Sequence, residues 1–381
     1  MGWHYNDLTA NTGAPPASGP PMGYIFDAQG TQHVIYQGLI VDQGSDGRIH
    51  ELWWDSNGWH HNDLTAAAGA PLAFESSSAY VFESQETQHV VYLGASPDGQ
   101  GGDGHIHELW WDGNGWHHND LTVAASAPPT ATNALLKGYA FESNRTQHVF
   151  YTDDGGNIHE LWWDDNGWHH NDLTAATGAP PAPFGGTGHV FAAQGTMHVF
   201  FASVTSGLID GHIHELWWDN SGWHLNDLTV AAGAPLYGVG GLSSYVFADQ
   251  GTQHVLYLGF TSGPGDYHIH ELWWDSNGWH HNDLTVAAGA PPALGAMGYA
   301  FESQGTQHVV YAGGPARPDG DGHIHELWWD SGGWHHNDLT LATGAPLGAA
   351  PMGYEFPAQG TQHVVYTSND NRIIELYWVP E

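Results

Sequence analysis

Cysteine is absent, which excludes a disulfide framework and any thiolate metal site. Basic residues are nearly absent too: five Lys plus Arg stand against 41 Asp plus Glu, a formal charge of −36. Nucleic-acid binders need a cationic footprint and anionic membranes attract one, so neither is an expected partner. No apolar run approaches a membrane span, and the opening MGWHYNDLT offers neither a basic nor an apolar leader region. The expectation is a soluble chain without signal peptide or membrane insertion, cytoplasmic or released by a non-classical route. Missing as well is any uninterrupted period near 3.6, and linkers such as AAGAPPALGA are too rich in Pro and Gly for helix. No G-x-S-x-G, thiol nucleophile or phosphate loop occurs.

What the chain has in excess is histidine, tryptophan and repetition. Thirty histidines titrate near pH 6.5, so full protonation takes the charge from −36 to −6. A GWH-x-NDLT unit, or its near copy, places a tryptophan at Trp3, Trp59, Trp116, Trp168, Trp223, Trp279 and Trp334. A Glu-Leu-aromatic-Trp marker begins at Glu51, Glu108, Glu160, Glu215, Glu271, Glu326 and Glu375. A third marker, Thr-(Gln/Met)-His-Val, begins at Thr31, Thr87, Thr146, Thr196, Thr252, Thr306 and Thr361. All three counts give seven repeats, and the tryptophans are spaced by 52–57 residues.

Within a repeat, GYAF at 298–301, TQHVVY at 306–311, IHELWWD at 324–330 and WHHNDLT at 334–340 each read as a short strand. Four-stranded units of this length predict propeller blades. The termini predict closure. The chain opens with a fourth strand and ends at RIIELYWVPE, a third strand whose fourth is missing. Pairing the two leaves no open sheet edge. The expected fold is thus all-β: one seven-bladed β-propeller over 1–381, closed by the N-terminal strand. Its blades fall near 22–65, 79–122, 137–174, 187–229, 244–285, 298–340, and 353–381 with 1–9.

Asp275-Ser276-Asn277-Gly278 is a hairpin signal between the third and fourth strands. A two- or four-residue loop puts Ile269, Glu271, Trp273, Asp275, His280, Asn282 and Leu284 on one face and His270, Leu272, Trp274, Trp279, His281 and Asp283 on the other. An odd loop reverses the relation between the strands. The tryptophans have a packing explanation, since flat rings fill the wedge between radiating sheets. The glutamate needs a partner wherever it is buried: a neighbouring His or backbone N–H, or the hydroxyls of a ligand. Carboxylate, amide and indole together suit a neutral sugar, whose C–H face stacks on the ring while hydrogen bonds read its hydroxyls. Trp274 of an adjoining blade would close such a pocket from the other side.

Competing chemistries fare worse. His105 and His107, His212 and His214, His268 and His270, and His323 and His325 are His-x-His pairs able to chelate Zn²⁺ or Ni²⁺, and Asn157 replaces the first member before His159. Arg48, Arg372 and Ile374 interrupt that series and no regular third ligand exists, so no metal or other cofactor is expected. The acidic PDGDG at 318–322 lacks an EF-hand spacing for Ca²⁺. A glycosidase pair such as Glu271 and Asp283 would be copied in every repeat, whereas propeller enzymes gather unlike groups around one centre. A sialidase would want clustered arginines, and Arg48, Arg145, Arg317 and Arg372 are scattered. Equal sites predict binding without catalysis.

The repeated GHIHELWW, GWHHNDLT, AGAP, GY-x-F and GTQHV segments resemble the seven-bladed propeller lectins of the Photorhabdus fucose-binding type, over essentially the whole chain. That resemblance implies a non-enzymatic lectin for L-fucose and related, often O-methylated, saccharides, bound between blades and used in host–microbe recognition. Its partners would be fucosylated or methylated glycans, with oligomerisation left open. Carried onto this sequence, the carbohydrate-binding positions are Glu51, Trp53, Trp54 and Asn62, then Glu108, Trp110, Trp111 and Asn119, and Glu160, Trp162, Trp163 and Asn171. The next repeats supply Glu215, Trp217, Trp218 and Asn226, then Glu271, Trp273, Trp274 and Asn282, and Glu326, Trp328, Trp329 and Asn337. The closing repeat supplies Glu375, Tyr377, Trp378 and Asn6, with Tyr377 in place of the first tryptophan. Leu225, Met197 and Phe201 depart from the pattern in the fourth repeat. The alternative is a protein- or peptide-binding propeller scaffold, for which repeat-specific loop residues would be expected.

Overall fold

A computed structural model describes residues 2–40, 44–99, 101–132, 136–182, 184–205, 208–238, 240–260, 266–314 and 320–380. Seven antiparallel sheets make it an all-β seven-bladed β-propeller. Blades 1 to 6 occupy 22–63, 73–120, 136–172, 184–227, 236–283 and 293–338, and blade 7 joins 348–379 to 2–7. Six sheets have four strands, and blade 5 adds Leu236–Tyr237 as a short fifth. Two compact units are distinguished: residues 1–46, 50–62 and 231–381, and residues 47–49 and 63–230. Blades 5, 6 and 7 belong to the first unit and blades 2, 3 and 4 to the second.

Blade 6 illustrates the local rules. Its strands are Ala293–Phe301, Thr306–Gly313, Ile324–Asp330 and Gly333–Asp338. Val309, Val310 and Tyr311 on the second strand and Ile324 and Leu327 on the third are fully buried, so both faces of the sheet are covered at mid-blade. Asp330 pairs with Gly333 across a two-residue loop, and Gly333 sits at φ 114°, a backbone conformation suited to glycine. The equivalent loop in blade 5 pairs Glu271 with Asn282 and Trp273 with His280 on one face, and Leu272 with His281 and Trp274 with Trp279 on the other. The even-loop grouping expected from the sequence is observed for the strand residues, while Leu284 begins a helical turn.

The terminal strand Gly2–Asp7 pairs antiparallel with Ile373–Val379, bringing Asn6 opposite Glu375. The chain therefore closes as expected. One expectation is corrected: the linkers are not free of helix. Seven helical turns of four or five residues follow the fourth strands, among them Leu284–Ala288 and Leu339–Thr343. They are too short to show a 3.6 period but carry their own start and stop signals. The Asp of NDLT caps each one, as Asp283 Oδ1 accepts from Val286 N at 2.9 Å. Leu284 is fully buried, Thr285 Oγ1 accepts from Ile269 N at 2.9 Å, and Gly289 ends the turn at φ 61°. NDLT is thus the end of a strand and the start of a turn, not strand throughout.

Blades lock together through a tyrosine on the first strand. In the first unit Tyr245 donates to Gln307 at 2.9 Å and Tyr299 to Gln362 at 2.8 Å. In the second, Tyr80 donates to Gln147 at 3.0 Å. Each ring lies over a glycine of the next blade. A Cβ at Gly298 would stand 2.4 Å from Tyr245 Cε1, and one at Gly138 2.5 Å from Tyr80 Cε1. Gly298→Ala is therefore expected to cost about 1–3 kcal/mol through overpacking. Chemical denaturation checks this, and an unchanged midpoint would show that the tyrosine has room to retreat.

Candidate functional site

The recurring glutamate is buried; Glu326 is 1% exposed. Its two oxygens are both taken. His308 Nδ1 lies 2.8 Å from Oε1, and Asn337 Nδ2 donates to Oε2 at 2.8 Å. Behind it, Thr306 Oγ1 is 2.8 Å from His308 Nε2. An ionised carboxylate only accepts, so the imidazole Nδ1 carries a proton and donates to it. This Thr–His–Glu chain recurs in every blade: Glu51, Glu108, Glu160, Glu215, Glu271 and Glu375 meet His33, His89, His148, His198, His254 and His363 at 2.7–2.9 Å. Asn62, Asn119, Asn171, Asn226 and Asn6 donate to their glutamates at 2.7–3.2 Å, and Asn282 stands opposite Glu271 in the ladder. Of the partners weighed from the sequence, the imidazole is the one found.

On the same face, towards the hairpin, the first tryptophan of each pair is half-buried and stacked on a histidine of the fourth strand. Trp328 and His335 have ring centroids 4.2 Å apart at 24°. Trp53, Trp110, Trp162, Trp217 and Trp273 stack on His60, His117, His169, His224 and His280 at 4.1–4.3 Å and 25–27°. His335 Nε2 is in turn 3.1 Å from Asp330 Oδ1. The hydrogen bond from His335, with that from Gly332 N, holds the Asp330 carboxyl below the usual carboxylate range. In blade 4 the Ser221 hydroxyl and then His224 push Asp219 down to about 2.

The second tryptophan, represented by Trp329, lies on the opposite face, paired in the ladder with Trp334. It reaches the preceding blade. Trp378 meets Phe301 edge-on at 5.9 Å, Trp54 meets Phe356 at 6.0 Å, and Trp218 meets Phe141 at 6.0 Å. Trp3 packs against a cluster that includes Tyr299 and Val310. Between blades 6 and 7, Trp328, His335, Asp330 and Asn337 thus form one wall, and Trp378 and Trp3 reach across from the other sheet. Trp111, Trp163 and Trp274 occupy the same ladder position in their own blades. Of the groups anticipated, Glu326 lies behind this wall and Asn337 and Trp328 form it.

Sequence reading put Asp275 and His280, the aspartate closing ELWWD and the first histidine after GW, on this face without naming them as site residues, and it did not single out the Thr-x-His histidine. Their signal was present. A two-residue hairpin places the aspartate and that histidine beside the tryptophan once the register is drawn.

The His-x-His residues face the other way and are engaged. His268 Nδ1 is 2.9 Å from Asp283 Oδ2, while His270 lies 2.9 Å from His281 Nε2 and 3.1 Å from Asp266 Oδ2. In blade 4, Leu225 replaces the second imidazole and leaves His214 Nδ1 without a partner among the described residues. Arg48 and Arg372 pair with Asp63 and Asp7 instead. Among the described residues no three His, Asp or Glu side chains are arranged to hold a metal ion. Arg317 and the first two residues of PDGDG lie outside the described residues; Asp321 within that segment is 3.2 Å from His325 Nε2. No helix among the described residues is long and apolar enough to cross a membrane.

No known protein family matches the chain, and no curated protein does. Solved structures match at low identity. AofleA from Arthrobotrys oligospora is 15% identical with a TM-score of 0.54, over 88% of this chain and 89% of that one. The SapL1 lectin in complex with α-methyl fucoside is 18% identical with a TM-score of 0.50, over 85% of this chain and 95% of that one. The Hadza microbial sialidase Hz136 is 14% identical with a TM-score of 0.52, over 85% of this chain and 66% of that one. A lectin and a sialidase on one fold mean that function must be argued from the side chains.

Proposed function

We propose that the chain is a multivalent lectin for L-fucose and related saccharides, O-methylated ones included, that binds without turning them over. The observation that carries this reading is the half-buried indole beside an aspartate, an imidazole and an asparagine, repeated on six blades and varied on the seventh. Such a wall offers an apolar surface for the C–H face or a methyl group and a rim of directional polar atoms for hydroxyls. A hydrolytic reading has less behind it, since Glu326 has both oxygens engaged and Arg48 and Arg372 are each neutralised by an aspartate. Exposed Val286 and Leu341 on the short helices favour the scaffold alternative.

Glycan arrays and calorimetry with methyl fucoside test the proposal. Single clefts should bind weakly, while fucosylated surfaces are held about 10² to 10⁴ times more tightly through linked sites. Trp273→Ala should weaken the blade 5 site by roughly thirtyfold, the cost of a binding hot spot of about 2 kcal/mol. Sugar soaks resolve the blades individually. An empty array with no calorimetric heat would refute the lectin, and capture of peptides in its place would favour the scaffold.

A further inference from the structure

Blade 7 is an internal control. Its buried Thr–His–Glu chain is that of every other blade, and Thr361, His363, Glu375 and Asn6 are linked at 2.8 Å throughout. Its outer wall differs. Tyr377 stands where the other blades have tryptophan, and Val379 where they have aspartate. The Tyr377 and His4 rings have moved apart to 5.4 Å with a 32° tilt, and His4 is exposed. In the six other blades an aspartate oxygen lies 2.9–3.1 Å from Nε2 of the stacked histidine.

From this contrast, and resting on the lectin reading, we infer that Asp55, Asp112, Asp164, Asp219, Asp275 and Asp330 are positioning residues that hold the sugar-stacking wall, and that blade 7 does not bind sugar. The aspartate fixes the histidine by its Nε2–H, and the flat imidazole then supports one face of the indole. A wall already in its bound arrangement loses less side-chain freedom when ligand arrives. Valine accepts no hydrogen bond, so Val379 cannot perform that task on blade 7.

The test compares wild type, Asp275→Ala, Asp275→Asn and the double variant Tyr377→Trp/Val379→Asp, using methyl fucoside in crystal soaks read blade by blade and in calorimetry. Wild-type crystals should show sugar on blades 5 and 6 and none on blade 7. Asp275→Ala should weaken blade 5 by about tenfold. Asp275→Asn, whose Oδ1 still accepts from His280, should restore it. The ¹⁵N shifts of His280 should report a fixed Nε2–H tautomer in wild type and Asp275→Asn, and tautomer exchange in Asp275→Ala; this readout needs no sugar. The double variant should gain sugar on blade 7. Sugar on blade 7 of wild type, or undiminished density on blade 5 of Asp275→Ala, overturns the positioning role and leaves the lectin standing. Absence of sugar from every wild-type blade overturns both.

Discussion

Replacing Glu326 by alanine is expected to lower the unfolding free energy by about 2–6 kcal/mol, because it leaves two donors, His308 Nδ1 and Asn337 Nδ2, unpaired at about 1–3 kcal/mol each. The loss is large because three groups depend on that side chain. His308 Nδ1 and Asn337 Nδ2 both point at it, and His308 in turn orders Thr306. Water cannot replace the carboxylate easily, since His308 is 4% exposed and Glu326 is 1% exposed. Glu326→Gln should cost less but not nothing: the amide keeps one acceptor and turns a donor towards another donor, leaving one hydrogen bond unmade at about 1–3 kcal/mol. Denaturant midpoints of the two variants supply the measurement. Alanine tolerated without a shift would mean that the glutamate is not structural and is free for a ligand. Loss of sugar at blade 6 in both variants, beyond what the stability change explains, would show that Asn337 reads the sugar only while Glu326 holds it.

Much of this was legible before any coordinates. Seven copies of three markers specify the blade number, and the split fourth strand at the two ends specifies how the sheet closes. The hairpin chemistry of Asp275 to Gly278 specifies the register, and register decides that Glu271, Trp273 and Asn282 share a face. What the sequence could not rank was the partner of the glutamate. His254 lies 17 residues before Glu271 on a neighbouring strand, and pairing across strands is invisible to a periodicity read along one. The helical turns escaped for a different reason. Leu284–Ala288 has five residues, too few for a hydrophobic repeat to complete itself, so only its cap and its glycine could have revealed it.

Stability should fall, read as a lower melting temperature, as pH is lowered from 7 towards 5. His118, His170, His281 and His336 are all held below the ordinary histidine value, first by burial and then by the like charge of His107, His159, His270 and His325 beside them. A base whose pKa is depressed on folding takes up its proton more readily when unfolded, so the unfolded chain binds more protons over that range and stability rises with pH. The contribution is complete above about 6.5, the unfolded value. It is lost progressively as pH falls from there, and the loss ends once the depressed folded values are passed. A second decline belongs to lower pH, where the depressed Asp112, Asp164, Asp275 and Asp330 finally take protons; their contribution is present above the ordinary carboxyl value and disappears through the folded one. The net charge works in the opposite sense, because protonating thirty histidines brings −36 towards −6 and relieves self-repulsion. His281→Leu separates the two effects. Blade 4 already carries Leu225 at that position, so the fold accepts the side chain. The variant should lose stability at pH 7, where His270 Nδ1 is left unpaired, yet show a shallower fall between pH 7 and 5 than wild type. Parallel melting curves across that window would mean that the acid response comes from the global charge, and the His–His pairs would have no part in it.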